Sequence, residues 1–218
     1  MIDCSLRRIN LGAADGENFL GELSVDVGTR QSETLPGAVS DFLRIFGLTV
    51  RDVGHIAVTA GPGYFTGIRV GLSYAAALAD SLGALVSGVS TLMAMALPLI
   101  ESFAASEASS VVAPVIPAGR DSLYAAMYGV RPGITPDGSY ILLEPSHIRT
   151  EDFFDCLEAR ADSGGVIISG SIPNVTLGKK SLRVIPPPSV PRGVLMAAAS
   201  VPPTDPSEVK ALYLRRPF

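Results

Sequence analysis

A chain of 218 residues with 47% hydrophobic and 17% charged residues has the material for a sizeable core, as one domain or as two lobes of ~100 residues each, and is too apolar to be disordered. Its formal net charge of −4 excludes a protein that grips nucleic acid unaided, because such binding rests on Lys and Arg neutralising phosphates. A mean hydropathy of +0.36 is high for a soluble chain and points to an apolar surface that a partner covers.

Residues 81–100 form the longest charge-free run, but Gly83, Gly88 and Pro98 interrupt it, and it reads as strand, turn and helix rather than a membrane span. The opening residues pair no basic n-region with an apolar h-region, so the expected compartment is the cytoplasm. Cys4 and Cys156 lack any CxxC spacing and are expected to be buried thiols, while His55 and His147 fit neither HxxxH nor HExxH. No metal site is expected.

Taken in order, residues 1–5 end a strand, residues 8–13 and 19–27 continue as strands, and Asp15-Gly16 marks a hairpin between them. Asp3 either terminates its strand or presents a carboxylate to a cleft. Residues 34–46 form a helix with Thr34 as cap, Pro36 in the first turn and Gly47 as stop, and Leu35, Val39, Phe42 and Phe46 make one apolar stripe. Residues 55–60 are a buried strand that begins at His55.

That strand delivers the most informative run in the chain, Gly61-Pro62-Gly63-Tyr64-Phe65-Thr66-Gly67-Ile68-Arg69-Val70-Gly71. Gly61 and Gly63 let a backbone or a phosphate come close, Pro62 fixes the turn between them, and Thr66 is the expected helix cap. Two roles suit such a loop: a nest of N–H groups for an anion, or an elbow that aims the following helix. In that helix, residues 67–82, Gly67, Gly71, Ala75 and Ala79 recur every four positions. A stripe of small residues lets either the protein's own sheet or a partner's helix approach closely.

Residues 85–89 are a further strand, Ser90 caps a helix that Pro98 kinks or ends, and residues 101–110 read as the connection between lobes. The expected division is 1–104 and 105–218. The second half restarts with strands at 111–116 and 123–130, then a strand at 140–143, a helix over 151–160 capped by Thr150, and a strand at 166–169. A stiff proline connector (186–191), a short helix (194–199) and a proline-broken tail with Lys210, Arg215 and Arg216 complete it, and the tail is free to pack back on the first lobe.

Recognised catalytic patterns are excluded. No lysine follows the glycines as a Walker A loop requires, and Gly61-Pro62-Gly63 places Thr66 where G-x-G-x-x-G needs its third glycine. Two scattered histidines make no triad, and the carboxylates show no paired arrangement.

With Ile2-Asp3-Cys4-Ser5 at the start, Ser32-Glu33 before the first helix, the run from Gly61 to Gly71, Arg120 and Tyr124 on the second-half hairpin and Tyr213-Leu214-Arg215 at the end, the chain resembles the bacterial tRNA threonylcarbamoyladenosine biosynthesis protein TsaB (YeaZ) family. The glycine run is the specific landmark. Departures are Arg30-Gln31-Ser32-Glu33, where the family commonly carries Arg-His-Ser-Glu, and Tyr64, where Ser is more usual.

The resemblance implies an α/β fold of the two-lobed actin, sugar kinase and heat-shock chaperone ATPase (ASKHA) type, with mixed sheets and flanking helices. It implies a non-catalytic scaffold without the metal-binding histidines of its catalytic relative TsaD. Such a subunit pairs with a TsaD-type subunit, works with a TsaE-type ATPase, meets tRNA only through that complex and forms a homodimer when isolated. The interface maps to the two helices of the first lobe, with Leu35, Val39, Phe42, Gly67, Ile68, Gly71, Leu72, Ala75 and Ala79 facing the partner. No catalytic residue and no cofactor of its own are implied; ATP or ADP at the subunit boundary would draw on Asp3, Ser5, Gly61, Gly63 and Thr66. The alternatives are an autonomous ATP-binding phosphotransferase of the same fold, motivated by Asp3 and the glycine loop, and, more weakly, a metallo-glycoprotease, which would need the HxxxH ligands this chain lacks.

Overall fold

A computed structural model describes residues 1–105, 109–131, 133, 140–159, 165–170, 182–186 and 190–214. Arg215 and Arg216 of the basic tail, residues 187–189 of the proline connector, 106–108 of the inter-lobe connection and 134–139 of the second-half loop lie outside the described residues. The chain forms two compact units, Met1–Ala94 with Val190–Leu212, and Met95–Ser189 with Tyr213–Phe218. The first unit thus takes in the tail as far as Leu212, and Val209 and Ala211 of that tail pack, partly buried, against its core.

The first unit opens with the expected meander, β1 (Ile2–Asp3), β2 (Arg8–Asp15) and β3 (Asn18–Asp26), with Gly16 at φ 56 in the tight Asp15-to-Asn18 connection. Helix α1 (Gln31–Ile45), strand β4 (His55–Gly61), helix α2 (Phe65–Leu82), strand β5 (Leu85–Ser90) and helix α3 (Thr91–Ala104) follow. The sheet order is β3-β2-β1-β4-β5, antiparallel through the meander and parallel from β1 to β4 to β5. Strand side chains alternate between faces. Ile2, Cys4, Leu11, Val58 and Ala60 meet α1 and α2 on one face, while Gly12 leaves room on the other for Pro191 of the last helix, α5 (Val190–Ala199).

The second unit repeats the order. Strands β6 (Ser110–Pro117), β7 (Ser122–Val130) and β8 (Tyr140–Arg149) form an antiparallel meander, and β9 (Gly165–Gly170) and β10 (Leu182–Ile185) add in parallel to give β8-β7-β6-β9-β10. Helix α4 (Thr150–Glu158) buries Phe153 and Leu157 on one face against Val111, Ala113, Leu123 and Ile168. Two copies of one five-stranded topology are the ASKHA-type architecture that the sequence resemblance implies.

Several boundaries differ for local reasons. Helix α1 starts three residues earlier than Thr34 marks it, because the side chain of Gln31 donates to the carbonyls of Cys4 (3.0 Å) and Arg8 (2.9 Å) and holds the first turn on β1 and β2. Thr66 is no cap either: Tyr64 is the N-cap residue and Thr66 is exposed in the first turn. Pro98 neither ends nor interrupts α3, which continues to Ala104. A proline there cannot donate to the carbonyl of Ala94, and Gly193 of α5 packs directly against that carbonyl.

The partner-facing stripe is corrected by the packing. Leu35, Val39, Phe42, Gly67, Ile68, Gly71, Leu72, Ala75 and Ala79 are all buried in the chain's own first unit. They face the sheet because α2 must lie close on β1 and β4, and a Cβ added at Gly67 would collide with the carbonyl oxygen of Cys4, a backbone atom that cannot swing aside.

Gly67→Ala is accordingly expected to lower stability by about 2–4 kcal/mol. Gly37→Ala, also helical but with nothing within 4 Å of the new Cβ, is expected to raise it by about 0.5–1 kcal/mol. Urea unfolding of the two variants checks the contrast, and equal midpoints would refute the close packing.

Candidate functional site

Three of the five residues named for an anion or nucleotide, Asp3, Ser5 and Gly63, come together at the C-terminal end of β1. The Asp3 side chain is fully buried. Its Oδ1 accepts hydrogen bonds from the Ser5 amide (2.9 Å), the Ser5 hydroxyl (2.6 Å) and the Thr59 hydroxyl (2.7 Å), and its Oδ2 accepts from Asn10 Nδ2 (2.7 Å). Asn10 Oδ1 in turn accepts from Ser24 Oγ (2.6 Å), which accepts from Arg8 Nε (3.1 Å). Four donors from this chain reach the carboxylate, three at Oδ1 and one at Oδ2, which keeps a further acceptor position. The carboxylate is a brace across β1, β2 and β4.

The glycine run lies over this brace. The amide of Tyr64 donates to the carbonyl of Ser5 at 2.7 Å, and a Cβ on Gly63 would stand 2.6 Å from that same oxygen. Gly61, at φ 112, is approached from the other side by the carbonyl of Leu212, and the Leu212 amide donates to Ala60 O at 2.6 Å. The loop's freedom of approach is thus taken up by residues 4–5 and by the returning tail. Of the two roles open to the run, the packing within this chain is that of the elbow.

Asp3 and Ser5 stand out in the sequence, but their partners on the neighbouring strands do not. Asn10, Ser24 and Thr59 look like ordinary strand polar residues until register places them beside it. Leu212, some 150 positions beyond the loop it touches, carries no local signal. Gln31 was seen only as a departure from a more usual His; bridging two carbonyls takes two donors, which its amide supplies.

Burial, with the Asp3 carboxylate beside it, pushes the Cys4 thiol up to about 12, which leaves negligible thiolate at neutral pH. Among the described residues, no three His, Cys, Asp or Glu side chains are grouped to hold a metal ion. Loss of water, and next the charge of the chain's amino terminus, hold His55 below its usual 6.5, and its Nε2 lies 2.9 Å from the buried Ser87 hydroxyl.

What the first unit does present is the outer side of its helix pair. Pro36, Gly37, Ser40, Asp41 and Arg44 of α1 are exposed, as are Thr66, Arg69, Ser73 and Ala77 of α2. Among them stand two large apolar side chains, Ile45, 71% exposed, and Phe65, 40% exposed under the Arg69 guanidinium. No helix among the described residues is long and apolar enough to cross a membrane.

Two measurements test this description. Asp3→Asn turns one acceptor into a donor facing donors, and is expected to cost about 3 kcal/mol in denaturant unfolding; a loss below about 0.5 kcal/mol would mean that the brace is not formed. The His55 ring, assigned by NMR against a His55→Gln variant, is expected to titrate below 6.5. Because its folded value is depressed, its contribution to stability is present above 6.5 and is lost as the pH falls.

The family model for TsaD, tRNA N6-adenosine threonylcarbamoyltransferase, matches residues 26–135, half of the chain. The chain is 26% identical over 149 residues to the tRNA threonylcarbamoyladenosine biosynthesis protein TsaB of Bacillus subtilis, an alignment covering 66% of this chain and 62% of that protein. It is 43% identical over 58 residues to TsaB of Escherichia coli, covering 27% of this chain and 25% of that one. The matched stretches thus span less than two thirds of either curated relative. Among solved structures, YeaZ from Pseudomonas aeruginosa shares the fold with a TM-score of 0.70 at 20% identity, covering 98% of this chain and 97% of that one. A second P. aeruginosa structure, described as similar to peptidase YEAZ, does so with 0.72 at 19% identity over the same shares. The chain belongs to the TsaD family and, within it, to the TsaB (YeaZ) group.

Proposed function

We propose that this chain is a non-catalytic subunit of the complex that places a threonylcarbamoyl group on N6 of a tRNA adenosine, and that it acts by pairing with a TsaD-type catalytic subunit, with a TsaE-type ATPase as the further member. The supporting observation is the state of the Asp3 carboxylate. The resemblance implies a possible nucleotide contact at the loop and carboxylate at the end of β1, and here the carboxylate accepts four hydrogen bonds from the chain itself while the loop packs on Ser5 and Leu212.

The docking face in this reading is the outer side of α1 and α2, not the buried stripe. Small exposed residues, Gly37, Ser40, Ser73 and Ala77, let a partner helix approach, and Ile45 and Phe65 supply apolar area at the ends. The brace beneath keeps the pair in one orientation. The net charge of −4 makes tRNA contact a property of the complex rather than of this chain, with the cytoplasm as its compartment. The same face offers a homodimer contact when the partner is absent.

Ser73→Arg combined with Ala77→Arg, both on the exposed side of α2, is expected to leave the circular dichroism spectrum and Tm unchanged and to abolish co-purification with the TsaD-type subunit. A folded double variant that still co-purifies would overturn the docking face. Calorimetry of the isolated chain with ATP and magnesium is expected to give no binding heat; tight binding with turnover would replace this reading by the autonomous phosphotransferase.

A further inference from the structure

At the end of the first sheet where β1 stops, cations and aromatic rings share one surface. Arg7, Arg8 and Arg30 are exposed there, and Tyr64, Phe65 and Arg69 lead from the elbow into α2. The surface is continuous through the turn after β1: Gln31, next to Arg30, donates to the carbonyls of Cys4 and Arg8, and the Tyr64 amide donates to that of Ser5. The Arg7 guanidinium lies 4.5 Å from the centre of the Tyr64 ring, and that of Arg69 lies 4.1 Å from the centre of the Phe65 ring.

Two observations set this patch apart from scattered surface arginines. The first is charge. The chain carries 21 Asp and Glu against 17 Lys and Arg, so an exposed cation readily finds an acid, as Arg44 finds Asp41 and Arg149 finds Glu151. Arg7, Arg8 and Arg30 make no ion pair among the described residues. The acids of this end are Asp26, opposite Arg8 on β3 and accepting from the Gly28 amide, Glu33 in the first turn of α1, and Asp3, shut off beneath by its own donors. The second is strain. Among the described residues, Arg7 is the only one other than glycine at positive φ, 60, a backbone that glycine takes freely and arginine does not. What the arginine supplies in exchange is a guanidinium held over Tyr64.

We propose that this surface binds RNA, a stretch of tRNA phosphodiester backbone with an unpaired base, at the edge of the docking face. The inference rests on the reading that the chain works in a tRNA-modifying complex. A guanidinium whose face lies on a ring keeps its N–H edge for phosphate oxygens, and the N-terminal ends of α1 and α2 add partial positive charge. Phe65, 40% exposed, leaves ring area on which an unpaired base can stack. An acidic protein surface would be met by the arginines alone; rings interleaved with them favour RNA. Arg7, Arg8, Arg30 and Arg69 are too few to grip RNA on a chain of net charge −4. The patch adds to the complex's hold on tRNA and does not replace it.

The test reads the tRNA affinity of the complex with the TsaD-type subunit across a range of salt. It compares the unchanged chain with Arg7→Gly, with Arg7→Gly plus Arg30→Gln, and with Arg51→Gln, whose arginine is exposed before the opposite end of β4. Arg7→Gly is expected to hold or raise Tm, because glycine takes this backbone freely, and to weaken binding about threefold or more. The double variant is expected to weaken it about tenfold or more and to lower the slope of log affinity against log salt by about two. Arg51→Gln is expected to change neither, and Arg7→Gly alone decides if the double variant is destabilised. Unchanged affinity and slope, an equal loss with Arg51→Gln, or a folded double variant that no longer co-purifies with the catalytic subunit would overturn the proposal, the last by making the surface a protein contact. The isolated chain is read apart from the complex: at low salt, tRNA is expected to shift the backbone amide signals of Arg7, Arg30 and Tyr64 ahead of others, and inorganic phosphate at the same concentration to shift none. No shift with tRNA, or equal shifts with phosphate, would overturn the RNA assignment even where the complex forms. Shifts with tRNA alone, in a chain that does not co-purify with the catalytic subunit, would uphold it while the scaffold reading fell.

Discussion

The structure of the first unit depends on one buried carboxylate. Asp3 stands where β1 ends and the chain turns, and its four hydrogen bonds reach Ser5 in that turn, Asn10 on β2 and Thr59 on β4. A buried charge without partners costs several kcal/mol, whereas one held by several donors fixes the geometry of the groups that donate to it. Three strands and the loop that follows the third are therefore held in one register by a single side chain. The turn it fixes, Cys4 and Ser5, is the surface on which the glycine elbow rests.

From that surface the position of α2 follows by steric reasoning. Gly63 and Gly67 let Tyr64 and the first turn come down on Ser5 and Cys4, and Gln31 ties the start of α1 to the carbonyls of Cys4 and Arg8. The two helices are thereby set on one sheet face, α2 with Gly67, Gly71, Ala75 and Ala79 inward and α1 with Leu35, Val39 and Phe42. Their outer faces are left polar and small-residued, with Ile45 and Phe65 as apolar ends. The returning tail completes the arrangement by closing on Gly61 through Leu212 and on β5 through Thr204.

Much of this is local information and is legible in the residues. The meander, its Asp15-Gly16 turn, both long helices of the first unit and the second-half hairpin follow from periodicity and turn chemistry, which act over a few residues. The glycine run announces a close approach at its position and carries the family resemblance. What approaches is a different matter. Gly67 and Ala75 have the same spacing whether a sheet or a partner's helix fills the space beside them, and only the assembled strands show that Cys4 and Val58 do. Asn10 and Thr59 become ligands of Asp3 through register, and the tail meets the first unit through Thr204, Val209, Ala211 and Leu212. The sequence by itself determined the elements, the elbow and the family. Tertiary structure decided the partners of Asp3, the buried side of α2 and the return of the tail, because each depends on contacts between residues far apart in the chain, which no local pattern encodes.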